Sequence, residues 1–214
     1  MSMPASELAR PLFVGGMSLA AAMWAAAPAV AQDARNCSVE AVSGTGLVTG
    51  PGGERQAIAG LALNTDDIVH TDANSQVNIV CNDGITITVG FASRIDLRSL
   101  VNDEPEETGI LLRLIDGIAA FIVPQKTFPS FAVETQTAVA AVRSTEWLVD
   151  AHEGATDVFV RKGRVGVDPT GGAEVLLAAG EGVDVNADGQ AADVKQWGAM
   201  RIAAAGVRLG FAWQ

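Results

Sequence analysis

Residues 76–89 read QVNIVCNDGITITV, and this stretch decides the fold class. Its apolar side chains occupy alternate positions before and after a central turn, which places them on one face of each of two strands. The Asp83-Gly84 pair between the two runs supplies the positive φ that a tight turn requires. The stretch therefore predicts two β-strands joined by a sharp corner, which is either a β-hairpin or the corner of a β-solenoid.

The same pattern extends outward over residues 39–190. Runs of four to seven residues rich in Val, Ile, Leu and Thr alternate with Gly, Asn, Asp or Pro. The later runs fall at residues 117–123, 130–134, 138–142, 145–150, 156–161, 164–168 and 174–177. Because no helical pattern intervenes, the sequence predicts an all-β domain over residues 32–190.

Residues 194–210 break this pattern. Trp197, Met200, Ile202 and Val207 stand at roughly helical spacing, which predicts a short amphipathic helix within residues 191–214. We expect this helix to cap an end of the β domain. A helix that lies on a membrane surface is the alternative.

The composition excludes several classes of function. The chain has 214 residues, of which 49% are hydrophobic and 18% are charged, so it is a folded protein and not a disordered one. Its formal net charge of −11 opposes binding to nucleic acid. The sequence contains no nucleophile elbow, phosphate-binding loop or HExxH motif. We therefore predict no catalytic residue, no cofactor and no enzymatic activity.

The two histidines do not suggest a metal site. His70 and His152 are far apart in the sequence, and we expect a half-exposed strand residue and a solvated turn residue, respectively. The spacing of the two histidines and two cysteines argues against an ordinary four-ligand zinc site. The sequence therefore predicts no bound metal.

Residues 1–31 have the features of a secretory signal peptide. Arg10 precedes an uncharged and mostly apolar run over residues 11–27, and Ala29-Val30-Ala31 offers the small residues of a cleavage site. We place cleavage after Ala31. A retained membrane anchor is the alternative, but the apolar run is shorter than the roughly twenty residues of a spanning helix. No later uncharged run is long enough to span a bilayer, so we expect the mature chain in a bacterial periplasm.

Cys37 and Cys81 both lie in the predicted mature chain. An oxidising compartment and an even number of cysteines favour one disulfide bond between them. Two buried free thiols are the alternative, because sequence alone does not bring the two Cα atoms within reach.

Three sequence blocks resemble the FecR domain, the periplasmic sensor module of iron-responsive cell-surface signalling. The first block, LNTDDIVHT at residues 63–71, contributes Asp67 and Thr71, with Asp66 where the family usually has Gly. The second block is the Asn82-Asp83-Gly84 turn. The third, residues 131–147, has the family form f-x-V-x-T followed by V-R-G-T-x-F, and here it supplies Arg143, Thr145, Glu146 and Trp147. The resemblance covers residues 40–187 in unbroken order.

This resemblance implies a compact all-β domain similar to a β-helix or solenoid. In complete regulators of the family the domain follows a cytoplasmic anti-sigma segment and one transmembrane helix. Here a signal peptide stands in place of that segment, so we expect a stand-alone secreted form. The resulting hypothesis is a soluble periplasmic FecR-domain protein that acts as a non-enzymatic binding or scaffold module in envelope signalling and recruits an envelope protein. A module that binds an envelope glycan or small ligand is the alternative.

The sequence leaves two roles open for Arg143. In the first, it pairs with an acid such as Glu146 or a carboxylate of a neighbouring strand and holds the strand register. In the second, it contacts a ligand or partner. The candidate interaction residues implied by the resemblance are Asp67, Thr71, Asp83, Gly84, Arg143, Thr145, Glu146 and Trp147.

Overall fold

The computed structural model describes residues 35–97, 99–101, 109–125 and 130–211. The predicted signal peptide at residues 1–31 lies outside these residues and stays a prediction. Within the described part of the chain, no helix combines the length and the apolar character that crossing a bilayer requires.

The described residues form sixteen β-strands and one α-helix, which confirms the all-β prediction and the short C-terminal helix. The strands are β1 (Cys37–Ser43), β2 (Gly46–Gly50), β3 (Gly53–Gln56), β4 (Ile68–Thr71), β5 (Gln76–Cys81), β6 (Thr86–Val89), β7 (Arg94–Asp96), β8 (Ile110–Val123), β9 (Phe131–Glu134), β10 (Ala138–Val142), β11 (Thr145–His152), β12 (Ala155–Lys162), β13 (Arg164–Pro169), β14 (Val175–Ala178), β15 (Glu181–Val185) and β16 (Lys195–Gln196). The helix is α1 (Ala199–Arg208).

The long strand β8 joins two sheets. Its first half pairs with β7 and β9 in sheet B, which also contains β2, β3, β4, β10, β13 and β14. Its second half pairs with β6 and β11 in sheet A, which also contains β1, β5, β12, β15 and β16. Gly117 stands at the change of sheet with φ of 88°, and a Cβ there would lie 2.5 Å from the Cα of Ser93. Only glycine therefore fits this crossing point.

Both halves of β8 contribute to one apolar core. Leu112 and Leu114 from the first half and Phe121 from the second half belong to the same buried cluster. Alternate residues on each strand point into this cluster, as the period-two pattern predicts. Burial of these side chains is the main source of stability for the two sheets.

The strand pairing does not support the solenoid part of the fold prediction. The pair β8–β9 runs parallel, and the other pairs between described strands run antiparallel. The sheet is open and lacks the clearly repeated coils of a solenoid. Residues 76–89 form the hairpin β5–β6, so the hairpin reading of the opening stretch is the correct one.

Helix α1 covers the outer face of sheet A. Its Ala205 and the following Leu209 pack against Leu148 and Phe159, which alternate with core residues on β11 and β12. Trp197 stacks on Phe159 with 4.8 Å between ring centroids. The expected cap therefore lies against a face of the sheet and not against its end.

The predicted disulfide is confirmed. Cys37 and Cys81 are directly opposed on β1 and β5, with Cα atoms 4.0 Å apart, and their sulfurs are bonded. Both residues are buried, so the bond ties the first strand to the core.

Candidate functional site

Two turns meet at one end of the sheets. Arg143 and Ser144 connect β10 to β11, and Gly163 connects β12 to β13 with φ of 94°. A Cβ at position 163 would lie 2.6 Å from the carbonyl oxygen of Ser144, so the close approach requires glycine. The Oγ1 of buried Thr145 donates a hydrogen bond of 3.1 Å to the carbonyl oxygen of Arg164. These contacts fix the two turns side by side.

The two turns carry four exposed cations, which we call the basic corner. Its members are Arg143, Arg161, Lys162 and Arg164. The carboxylate of Glu146 lies among them, 3.8 Å from Nη1 of Arg161 and 3.6 Å from Nζ of Lys162. The basic corner thus carries four positive charges and one negative charge in a chain whose net charge is −11.

The pairing expected between Arg143 and Glu146 does not form. In the described part of the chain, Arg143 and Arg164 have neither an ion pair nor a side-chain hydrogen bond. β10 and β13 pair antiparallel up to Ala141 opposite Gly166; Arg143 lies in the turn just after β10, and Arg164 is the first residue of β13.

Exposed apolar groups adjoin the basic corner. Gly166 of β13 lies between Ala141 of β10 and Leu176 of β14. The Leu176 side chain, two residues along β14 from the partner of Arg164, is 74% exposed. Ile122, which is 45% exposed, stands opposite Glu146. The surface therefore combines positive charge with apolar area, which suits recognition of an acidic and partly apolar segment.

The first motif block lies inside the fold and not at the basic corner. Asp67 is fully buried, and its carboxylate accepts hydrogen bonds of 2.6 and 2.8 Å from Nη2 of Arg55 and one of 2.7 Å from the backbone N–H of Asn64. The buried Thr71 hydroxyl accepts a hydrogen bond of 3.0 Å from the backbone N–H of Ser93. Asp66 has φ of 66°, which explains why a glycine suits its position.

The second block forms the β5–β6 turn. The Asp83 carboxylate accepts hydrogen bonds from Nε of Arg35 at 2.6 Å and from the backbone N–H of Ile85 at 3.2 Å, while Gly84 has φ of 87°. Thr86, at the start of β6, shares a cross-strand row with Ile122, Glu146 and Lys162. The second and third blocks therefore meet at the same end of sheet A.

Trp147 is a core residue. Its ring is fully buried against Phe121, with 5.0 Å between the centroids, and its Nε1 has no hydrogen-bond partner in the described part of the chain. Of the eight candidate interaction residues, only Arg143 and the partly exposed Glu146 present side chains to a partner at the basic corner, while Thr145 holds the turn beneath them.

Comparison with known proteins finds one matching family model. Residues 67–166 match the family model described as FecR protein. Over these residues the chain is similar to a FecR domain. All eight candidate interaction residues lie in the matched range, which begins at Asp67. The resemblance predicted from the three motif blocks is therefore confirmed over this range.

Two solved structures share the fold of the greater part of this chain. Both are crystal structures, at 2.50 and 1.65 Å resolution, of a protein from Parabacteroides distasonis ATCC 8503 that is described as a candidate anti-sigma factor. Each has a TM-score of 0.55 and 21% sequence identity, over 64% of this chain. The match spans 62% and 63% of those chains, just under two thirds of their length. No curated protein matches the sequence.

A second cluster of charged groups lies between sheet A and helix α1. Arg201 donates hydrogen bonds to the carboxylates of Asp157, at 2.8 Å, and Asp184, while Arg208 donates to Asp150. Arg201 also lies over the Trp197 ring, 3.8 Å from its centroid. Burial raises the pKa of Asp150 above its usual 3.8, and the nearby Arg208 guanidinium opposes this shift. The network fastens the helix to sheet A.

His152 completes this cluster. Its Nε2 lies 3.3 Å from Oδ2 of Asp157, and one possible ligand atom each of Asp150, His152 and Asp157 lies within 4.8 Å of the others. A cavity of about 490 Å³ opens beside it and is lined by His152, Ala155, Asp157, Asp184, Val185, Asn186, Gln190, Ala191, Ala192 and Arg201.

The sequence contained a signal for this cluster that a search for histidine and cysteine ligands misses. The Glu153-Gly154 turn between two strand-like runs predicts a hairpin, and counting back from it sets Asp150 opposite Asp157.

Proposed function

We propose that this protein is a soluble periplasmic, non-enzymatic binding module in cell-envelope signalling, and that it recruits a protein partner through the basic corner. One observation carries the proposal. Arg143 and Arg164 are exposed, belong to two turns that lie side by side, and have no carboxylate partner among the described residues, although the chain has a large excess of acids.

The electrostatics of the corner favour an anionic partner. Arg35, Arg55, Arg201 and Arg208 each form an ion pair with a carboxylate of the fold. At the basic corner, Glu146 lies within ion-pair distance of Arg161 and Lys162, while Arg143 and Arg164 have no carboxylate partner among the described residues. An acidic segment would relieve the repulsion within the corner, and long-range attraction would guide it there against the negative field of the remaining surface.

The neighbouring apolar groups favour a protein over a purely anionic polymer. Leu176 and Ile122 offer apolar area next to the arginines, and a peptide with alternating acidic and apolar side chains would contact both kinds of group. Arginine is also enriched among the residues that dominate protein–protein binding energy.

Two further features support the cellular setting. The Cys37–Cys81 disulfide suits an oxidising compartment such as the periplasm. FecR proteins act in signalling across the cell envelope, and the FecR domain makes up residues 67–166 of this chain.

Capture from envelope extract tests this proposal. The purified protein is immobilised and the retained proteins are identified by mass spectrometry, using wild type and the variant Arg143→Glu/Arg164→Glu. The matched control is Arg94→Glu/Lys195→Glu, which makes the same charge change at two other exposed cations of the described chain. Circular dichroism checks that all three proteins are folded.

The proposal expects one dominant protein that wild type and control retain and the corner variant loses. Equal retention by all three folded proteins would refute the role of the basic corner. Retention of a carbohydrate and no protein would refute the protein-partner proposal altogether.

The cavity beside helix α1 favours a second candidate function, the binding of an envelope glycan or small ligand. Its volume of about 490 Å³ is in the range of ligand sites, and Asn186, Gln190 and Asp184 offer hydrogen-bonding groups for hydroxyls. Saturable binding of an envelope oligosaccharide, lost in Asn186→Ala/Gln190→Ala, would support it.

A further inference from the structure

A three-residue ligand set projects from one face of sheet A. Asp150 and His152 are two positions apart on β11, so their side chains point to the same face. Asp157 stands directly opposite Asp150 on β12. One candidate ligand atom from each residue lies within 4.8 Å of the other two, although the residues come from both sides of a turn.

The two carboxylates each keep one oxygen without a donor. Oδ2 of Asp150 accepts from Arg208, and Oδ2 of Asp157 accepts from Arg201. Neither Oδ1 has a hydrogen-bond donor among the described residues, and Oδ1 of Asp150 is fully buried. Because Oδ1 of Asp150 is shielded from water, leaving it without a partner is costly and points to a bound ligand.

We propose that Asp150, His152 and Asp157 bind a Zn²⁺ ion, a site independent of the basic corner. The arginines hold the second oxygen of each carboxylate, an arrangement that orients metal-binding carboxylates in proteins generally. The adjoining cavity leaves room for a water molecule as fourth ligand, which a three-residue zinc site requires.

The charge balance of the cluster agrees with a cation. Asp150, Asp157 and Asp184 carry three negative charges, and Arg201 and Arg208 carry two positive charges. Together these five side chains keep a net negative charge. This charge attracts a cation.

The ligand types select zinc over calcium or magnesium. Imidazole nitrogen is a ligand for Zn²⁺ and related transition metals, whereas Ca²⁺ and Mg²⁺ take oxygen ligands. Tetrahedral zinc with bonds of about 2.0–2.1 Å holds its ligand atoms roughly 3.4 Å apart, so the three groups must draw together. The side chain of His152 is 42% exposed and has room to rotate inward.

Calorimetric titration of the chelator-treated, purified protein with ZnCl₂ tests the site, with CaCl₂ titrated in parallel. We expect one Zn²⁺ per chain, no saturable Ca²⁺ binding, and a rise in melting temperature with Zn²⁺. His152→Gln should weaken zinc binding at least tenfold while leaving both arginine–aspartate pairs in place. His70→Gln replaces the other histidine, which is exposed on sheet B, and should bind zinc like wild type.

A second variant tests the site if His152→Gln does not fold. Asp157→Asn should also weaken zinc binding at least tenfold, and circular dichroism reports whether it is folded. Absence of zinc binding in wild type would overturn the proposal. So would zinc binding that is unchanged in folded His152→Gln or equally weakened by His70→Gln, because the metal would then be held elsewhere. Neither result depends on whether a protein partner is captured.

Discussion

Replacing Asp67 with alanine removes the most completely buried ionised group of the first motif block. Its carboxylate accepts three hydrogen bonds, two from Arg55 and one from the backbone of Asn64. The carboxylate thus ties β3 and the loop before β4 together. Hydrogen bonds to a charged group contribute about 1.5–3 kcal/mol each, and breaking a buried ion pair costs about 3–5 kcal/mol.

The expected loss lies at the low end of this range. The side chain of Arg55 is 31% exposed, so its guanidinium regains water when the carboxylate is removed. The backbone N–H of Asn64 loses its acceptor. We therefore expect Asp67→Ala to lower the free energy of unfolding by about 3 kcal/mol.

Urea unfolding followed by tryptophan fluorescence measures this loss. Asp72→Ala is the matched control, because Asp72 is exposed and no side-chain contact of its carboxylate is found in the described residues. Its effect should stay within about 0.5 kcal/mol. A loss below about 1 kcal/mol for Asp67→Ala would refute the structural role that the fold assigns to this motif residue. A double-mutant cycle with Arg55→Ala would then show no coupling.

Three further predictions concern the fold and its charged network. Reduction of the Cys37–Cys81 bond should lower the free energy of unfolding by about 4 kcal/mol in the chain-entropy description of its 44-residue separation, measured by urea unfolding with and without reductant. Arg201→Ala should increase amide hydrogen exchange across helix α1 and leave β8 unchanged, because it removes the ion pairs that fasten the helix. In metal-free protein, the raised pKa of Asp150 means that the native state binds this proton more tightly than the unfolded chain. Its contribution to stability is therefore present below pH 3.8 and is lost as pH rises through the raised pKa. Over this pH range the melting temperature of Asp150→Asn should therefore fall less than that of the wild-type protein.

Local patterns predicted the parts of the fold that depend on neighbouring residues. The hairpin at residues 76–89 follows from period-two alternation around the Asp83-Gly84 turn. The helix followed from its spacing of apolar residues. The disulfide followed from cysteine count and compartment. In each case the deciding information lies within a short segment or in the composition.

Non-local pairing accounts for what the sequence missed. The strand predicted at residues 117–123 is the second half of a 14-residue strand, because Gly117 lets β8 cross from one sheet to the other without ending. Arg143 does not pair with Glu146, because the register of β11 and β12 places Glu146 opposite Lys162, with which it forms an ion pair. Proximity along the chain does not reveal a partner that a different strand supplies.

Site-specific photo-crosslinking in living cells tests the central claim, that a partner protein docks at the basic corner. A photoreactive residue replaces exposed Ser144 in the β10–β11 turn, and in the control it replaces exposed Asp188, which lies outside the corner. The proposal predicts one discrete crosslinked protein for position 144, absent for position 188 and lost when Arg143→Glu/Arg164→Glu is added. No crosslink at position 144, or one that persists with both arginines reversed, would contradict it.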